Sequence, residues 1–572
     1  MKKRTAKSKK VLVSKTKRGF AIWLTRFKKI KPQSLFDSVM ARSDNYWLGV
    51  MALGVIISRW IGKSEYLFST DSALYALALD HYDISMHQPH PPGYALYILF
   101  AKGFYLLIQD ANLALVIVSI IFSVLAFYAV FYLAKLIYGR KVAWLSTIML
   151  ITGPLFWFYG QVALNYACDA FFSAWAGIYL YRAATDTKNY KALLWASLIL
   201  AIGGGFRPTL IIFMVPLWLW TIWRQRSWRG LLINISIMLG GTLAWLFPAM
   251  WLSGGLLEFW QALSSILLGK AGLYSFTVFD QGLAKLAWYA KLIWNNLLLN
   301  FGLATFVTIT YLASWLAPRA GERKLNLLNL WFWCLWVIPA MLFYLLIVFT
   351  IPGYLLVVLP ALTILVAVAT IGLIESLVAA YHVKTSQSLL ITSLITVLAI
   401  SIAGFNIFTY VKPSATVAMQ KSTYPVIEVN NRLWRNVIPA IRNKFNPQSS
   451  LIALESPFLN WGFPQFEYYL PEYPVYIHTT WGVYNPDNKK WMLAYRHQWS
   501  LVDWLEILPT DESMIIIRNK WNIPTGAYSK LALGDGVGYL AYYDLGVPGI
   551  RELLNGITDV KVKGLAPITK EE

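Results

Sequence analysis

The chain has only two cysteines in 572 residues, Cys168 and Cys334, and both lie inside apolar runs. That excludes a disulfide framework and any CxxC metal site. Charge is also scarce. Asp, Glu, Lys and Arg together make up 14% of the residues, against 57% hydrophobic ones. A soluble domain carries nearer roughly a quarter, so the soluble globular class is excluded. Acids are scarcer than bases, 28 against 50, and the imbalance is local. Thirteen Lys and Arg fall in residues 1–31, which contain no acid, and they supply more than half of the net charge of +22. Beside a membrane segment such a run reads as a cytoplasmic anchor on anionic lipid, not as a nucleic-acid arm. Residues 19–27 are expected to lie in the interface as a short amphipathic helix. GxGxxG and P-loop patterns are absent, so no nucleotide site is indicated. No cleavable signal peptide is expected, because the first apolar run follows too long a basic region and reads as a retained anchor.

What the chain has in excess is aromatic and apolar. It carries 27 Trp and 33 Tyr, which suits interfacial belts. Apolar runs long enough to span a bilayer fall near 45–62, 113–136, 142–159, 164–182, 190–206, 208–223, 230–252, 291–316, 327–349, 353–373 and 387–409. One further run, 93–109, is ambiguous. If it does not cross, the loops on the side of the N-terminus hold Arg140 and Lys141; Arg182, Lys188 and Lys191; Arg224, Arg226 and Arg229; Arg319, Arg323 and Lys324; and Lys384. If it crosses, every later cluster flips outward. The positive-inside rule favours the first arrangement. The expectation is a polytopic α-helical membrane protein of the cytoplasmic membrane, with about eleven crossings and 93–109 as a juxtamembrane or re-entrant helix. It divides into a basic cytoplasmic segment 1–44, a membrane domain 45–410 with a first outer loop 63–112, and a C-terminal extracytoplasmic α/β domain 411–572. Within that last domain, Leu451-Ile452-Ala453-Leu454, Val475-Tyr476-Ile477-His478 and Met514-Ile515-Ile516-Ile517 read as buried strands. Residues 464–470 and 500–508 read as helices, and 538–544 as an edge strand.

The first outer loop concentrates titratable groups. Residues 69–94 hold Asp71, Asp80 and Asp83 with His81, His87 and His90. Such a cluster at a membrane boundary is a functional-site hypothesis. Ser69 or Thr70 is expected to cap a helix from about Asp71 to Asp83, with Asp71 in its first turn, where a carboxylate could also simply complement the helix dipole. His90 precedes Pro91-Pro92-Gly93-Tyr94. It could bind an anion or shuttle a proton, or it could cap a turn. Further along, Gln161, Asn165, Tyr166 and Asp169 follow a crossing, and Asp169 needs a partner at that depth. Arg207, in Gly203-Gly204-Gly205-Phe206-Arg207-Pro208, suits bidentate phosphate binding, though a basic residue there also suits headgroup snorkelling. A divalent metal, Mg or Mn, on Asp71, Asp80 and Asp83 is weakly indicated, and no cofactor is otherwise called for.

An outward carboxylate, a membrane-edge arginine and a large lipid-facing surface fit transfer of a sugar from a lipid phosphate carrier. Thr70-Asp71-Ser72 followed by His90-Pro91-Pro92-Gly93-Tyr94 resembles the membrane glycosyltransferases of the GT-C fold. More narrowly it resembles the branch that includes protein O-mannosyltransferases. Arg140, the run ending in Phe156-Trp157-Phe158-Tyr159-Gly160-Gln161, and Pro352-Gly353-Tyr354 extend the resemblance. It implies Asp71 as the catalytic base, inversion at the sugar, and a polyprenyl-phosphate-linked sugar donor, a hexose such as mannose. The acceptor would be a hydroxyl of a protein, lipid or glycan, and juxtamembrane helices would roof the site. His90, Tyr94, Gln161, Tyr166, Asp169, Arg207 and Tyr354 are the substrate-binding candidates. The sequence departs from that branch at Ala73-Leu74, where an acid is usual, and at Leu164-Asn165-Tyr166, which keeps only the tyrosine. The alternatives are a lipid-linked glycan flippase, which would place polar groups along a central pathway, and a non-catalytic scaffold of envelope glycan assembly.

Overall fold

A computed structural model describes residues 32–565 apart from 269–272, 303, 306–307, 310–325, 381–386, 414–421, 455–461, 479–488, 490, 518–527, 535–537 and 557–559. The basic stretch 1–31, the segment 19–27, and Arg319, Arg323, Lys324 and Lys384 lie outside the described residues. The chain divides into two compact units, 1–58 and 59–572. The first holds most of helix α1 (Pro32–Ile61), whose Trp47, Leu53 and Ile57 are exposed apolar side chains of the kind a bilayer covers.

The second unit opens with α2 (Thr70–Asp80) and α3 (Ala95–Ile108). Apolar helices follow: α4 (Ala111–Tyr138), α5 (Arg140–Thr152), α6 (Pro154–Tyr159), α7 (Tyr166–Thr185), α8 (Tyr190–Phe206), α9 (Thr209–Gln225) and α10 (Trp228–Leu252). After them come α11 (Leu256–Leu268), α12 (Val278–Gln281), α13 (Leu283–Phe301), α14 (Leu327–Leu346), α15 (Leu359–Ala380) and α16 (Gln387–Val411). Five stretches among the described residues are long and apolar enough to cross a membrane: α4, α10, α14, and most of α15 and α16. Helices α8 and α9, at 17 residues each, are shorter. Helix α4 is central, packing against α3, α5 and α7. Its Phe122 ring meets Phe171, Phe172 and Phe206.

Two stretches differ from the sequence expectation. The run 142–159 is not one helix but α5 and α6, parted at Gly153-Pro154. Proline has no N–H to continue a helix and starts the next one readily. A Cβ on Gly153 would lie 2.5 Å from Asn300 Oδ1, so the break also admits α13 at close range. The ambiguous run 93–109 forms α3, which has 14 residues. At 1.5 Å per residue it is about 21 Å long, short of a hydrocarbon core of about 30 Å.

The C-terminal domain begins with α17 (Tyr424–Lys444) and is built on β1 (Ser450–Leu454), β2 (Val475–His478), β3 (Trp491–Tyr495), β4 (Gln498–Val502), β6 (Ser513–Ile517), β7 (Ser529–Leu533) and β8 (Gly538–Asp544). Their order is β4-β3-β2-β1-β6-β8-β7. β1 runs parallel to β2 and β6, and the remaining pairs are antiparallel. Alternation along β1 sends Ile452 and Leu454 to one face, against Trp434, Val437 and Phe466. Leu451 and Ala453 go to the other, with Tyr476, Met514 and Tyr543. The three buried strands and the helix near 464–470, here α18 (Phe463–Tyr469), are as expected. The reading of 500–508 as helix is wrong. That stretch holds the end of β4 and a short β5 (Leu505–Ile507), which pairs with β9 (Val560–Val562). Leu505 and Ile507 are buried with Glu506 between them, a period of two. The two-residue turn Arg496-His497, with φ of 53° and 61°, closes the β3–β4 hairpin. The tail strand β8 is not an edge, because β7 covers its far side.

This domain sits on the first loop. Helix α18 packs on α2. The Leu67 amide donates to Tyr469 Oη at 2.7 Å, the Glu65 amide donates to Asn431 Oδ1 at 3.0 Å, and Arg435 pairs with Glu65. The loop that carries Asp71 is therefore held between the helical bundle and the sheet domain.

Candidate active site

Asp71 stands in the first turn of α2, whose N-cap is Ser69. The Ser69 Oγ accepts from the Ser72 amide at 3.3 Å, satisfying one of the helix's open N–H groups. The Asp71 side chain remains about a quarter exposed, and its Oδ1 lies 3.9 Å from His90 Nδ1. His90 arrives from a loop whose path is tightly fixed. Asp83 and Gln88 exchange backbone hydrogen bonds at 2.6 and 2.8 Å, and Tyr82 Oη donates to the Gly93 carbonyl at 2.8 Å. Gly93 has φ of +102°, and Tyr94 enters α3 in the left-handed region. A non-glycine residue there is uncommon. His90 Nε2 lies 3.0 Å from Tyr94 Oη, and Tyr75 stacks on the imidazole with ring centroids 5.7 Å apart. Burial lowers the His90 pKa, the Asp71 carboxylate opposes this, and Arg207 lowers it further, so the ring is neutral at neutral pH. His87 is buried and is pushed down to about 3 by burial and by His90.

Arg207 is the second centre. It follows α8 as its C-cap and is buried. Its Nε lies 3.0 Å from Asp169 Oδ2, and its Nη1 donates to Asn165 Oδ1 at 2.9 Å. Asn165 Nδ2 in turn donates to the Phe206 carbonyl at 3.1 Å. The guanidinium carbon sits 4.2 Å from the Tyr166 ring centroid and 5.4 Å from that of Tyr354. A buried carboxylate, an amide and two ring faces thus fix one cation. Tyr354 comes from the Pro352–Val357 turn, which closes on Tyr159 and Tyr166 because Gly353 has no Cβ. Tyr94 opens α3, which packs on α8 with Leu96 against Gly205, and Arg207 caps α8, so the two centres are neighbours.

Of the candidates read from the sequence, Asp71, His90, Tyr94, Tyr166, Asp169, Arg207 and Tyr354 come together here. Gln161 is placed elsewhere. Its Oε1 accepts from Tyr410 Oη and its Nε2 donates to the Arg59 carbonyl at 3.4 Å, so it links Tyr410 to Arg59. Asp80 and Asp83 do not join Asp71. Asp80 is nine residues on, about 13 Å along the helix axis, where it accepts from Tyr105 Oη. Asp83 lies past the end of α2, not on it, and accepts from Ser85. Among the described residues no three His, Cys, Asp or Glu side chains are placed to hold one metal ion, so the expected trio does not fit Mg or Mn. Asn165 and Tyr75 were not among the candidates. Tyr75 is one of a run of buried α2 residues, and nothing in its sequence neighbourhood marks it as a partner of His90.

Residues 89–253 match the family model described as dolichyl-phosphate-mannose-protein mannosyltransferase, and this segment includes His90 through Tyr94, Asp169 and Arg207. No curated protein sequence matches the chain. The crystal structure of ArnT from Cupriavidus metallidurans bound to undecaprenyl phosphate is similar over 88% of this chain and 98% of its own, with 12% identity and a TM-score of 0.52. Its apo state is similar over the same shares, with 13% identity and a TM-score of 0.51. The Archaeoglobus fulgidus oligosaccharyltransferase tethered with an acceptor peptide aligns over 75% of this chain and 63% of its own, with 12% identity and a TM-score of 0.42. The chain therefore has the GT-C fold, and within it residues 89–253 are similar to the mannosyltransferase family.

Proposed function

We propose that this protein moves a sugar, a hexose such as mannose, from a polyprenyl-phosphate carrier to an acceptor hydroxyl on the extracytoplasmic side of the cell membrane. The observation that carries the reading is a partly exposed carboxylate and a buried, fixed guanidinium on neighbouring elements. Asp71 accepts the proton of the acceptor hydroxyl as its oxygen attacks the anomeric carbon. The bond from that carbon to the carrier phosphate breaks on the opposite face, which inverts the configuration. The phosphate leaves with its negative charge, and Arg207 stabilises that charge. Because Asp169 and Asn165 hold the guanidinium in advance, little reorganisation is needed when the charge develops. Neutral His90 stands 3.9 Å from Asp71 on one side and meets Tyr94 on the other. A lipid-linked donor is supported by the likeness to a protein bound to undecaprenyl phosphate, and the mannosyl class by the family match. The acceptor, whether protein, lipid or glycan, would lie between α2 and the C-terminal domain, with that domain facing outward.

Binding tests the donor half of this reading. Polyprenyl phosphate added to the detergent-purified protein is expected to raise its Tm, and Arg207→Met is expected to abolish the shift. An equal shift in the variant would remove Arg207 from the donor site.

A further inference from the structure

A separate feature lies at the opposite end of the bundle. A cavity of about 450 Å³ opens between α4 and α7. Its lining includes Leu125, Ala129, Phe171 and Trp175, and among its described lining residues the cations are Lys135 and Arg182 and none is an acid. The two cations are steered by their own helices. Lys135 Nζ lies 5.6 Å from the Phe131 ring centroid, and the Arg182 guanidinium lies 5.7 Å from that of Tyr179. Both helices start at the catalytic end. Ser119 of α4 donates to the Val162 and Leu164 carbonyls beside the site, and Asp169 of α7 holds Arg207. From Ser119 to Lys135 is about 24 Å along α4, and from Asp169 to Arg182 about 20 Å along α7. In a hydrocarbon layer of about 30 Å, Lys135 and Arg182 therefore reach the other leaflet. The apolar lining residues span 125 to 136 on α4 and 171 to 178 on α7, leading from the cations toward the bilayer centre.

We propose that this groove binds one phospholipid with an anionic headgroup in the leaflet opposite the catalytic pocket. Its phosphate lies between Lys135 and Arg182, and one acyl chain runs along Leu125, Ala129, Phe171 and Trp175. Charge complementarity selects the occupant: two cations face an otherwise apolar and aromatic slot. Arg140, Lys141, Lys188 and Lys191, on the segments that follow α4 and α7, add to the attraction for an anionic surface. The proposal stands apart from the glycosyl-transfer reading, since it needs only the membrane placement of α4 and α7.

Native mass spectrometry of the delipidated full-length protein tests it, with palmitoyl-oleoyl phosphatidylglycerol, the phosphatidylcholine of the same chains, and glycerol phosphate as probes. Wild type is expected to retain one phosphatidylglycerol and neither of the other two. The double variant Lys135→Gln/Arg182→Gln is expected to retain it roughly thirtyfold less, from about 1 kcal/mol per cation near an anionic lipid. Leu125→Trp keeps both charges but fills the slot, and is also expected to lose the lipid. Gly103→Ala, on α3 outside the groove, is expected to keep it. Equal retention of phosphatidylcholine, competition by glycerol phosphate, or undiminished retention by Leu125→Trp would overturn the proposal. The last result would mean that the cations only meet the bilayer surface.

Discussion

Asp169 Oδ2 lies 3.0 Å from Arg207 Nε, and both side chains are buried. An isolated charge at such a position is expensive, so each residue accounts for the other. Removing one partner leaves an uncompensated buried ion. Asp169→Leu or Arg207→Met alone is expected to destabilise the protein by about 3–5 kcal/mol, and the double variant by clearly less. A double-mutant cycle on Tm in detergent reads the coupling. Additive losses would mean that the pair contributes no coupling to stability.

Gly93 governs the approach of His90. At φ of +102° an L side chain is strained, and a Cβ there would lie 2.3 Å from Ile84 Cδ1 and 2.6 Å from Tyr82 Oη. Gly93→Ala is expected to lower stability by about 1–3 kcal/mol and to reduce turnover by displacing His90. Gly103, inside α3 with nothing near its missing Cβ, is the control. Gly103→Ala is expected to be neutral or to stabilise by up to about 1 kcal/mol. Thermal denaturation of the two variants side by side decides this.

Glu467 links the C-terminal domain to the catalytic loop. It is 1% exposed, and Gln88 Nε2 lies 3.4 Å from its Oε1. Burial pushes its pKa up to about 8 from 4.5. The folded state therefore keeps a proton that the unfolded chain releases, and stability falls as pH rises from about 4.5 to about 8. Glu467→Gln carries no such proton. Its Tm is expected to exceed that of wild type at pH 8, by a few kcal/mol of stability, and the difference is expected to vanish near pH 4.5. A constant difference across that range would mean that Glu467 does not titrate there.

Much of this was legible in the sequence. Asp71, His90 and Tyr94 lie in one short stretch, so their meeting follows from a capped helix, a proline-fixed loop and a glycine turn. The three buried strands around Ile452, Ile477 and Ile515 announce themselves by short apolar runs. What was not legible depends on distant partners. Gln161 looks like a pocket residue by position, but Tyr410, 249 residues later, donates to its Oε1. Asp80 and Asp83 look like metal ligands by proximity, but helix geometry carries Asp80 away from Asp71 and the chain turns before Asp83. The stretch 500–508 reads as helix because its apolar residues are close to helical spacing, and only pairing with β3 and β9 makes it strand.

The central claim is that Asp71 is the base of a glycosyl transfer from a lipid phosphate, and turnover of matched proteins tests it most directly. Purified wild type, given a polyprenyl-phosphate mannose and an acceptor preparation, is expected to release polyprenyl phosphate as sugar is transferred. Asp71→Asn keeps the shape of the side chain but cannot accept the proton. It is expected to bind the donor normally and to release polyprenyl phosphate at least about a hundredfold more slowly, the usual scale of general-base catalysis. Equal release by Asp71→Asn and wild type would contradict the account.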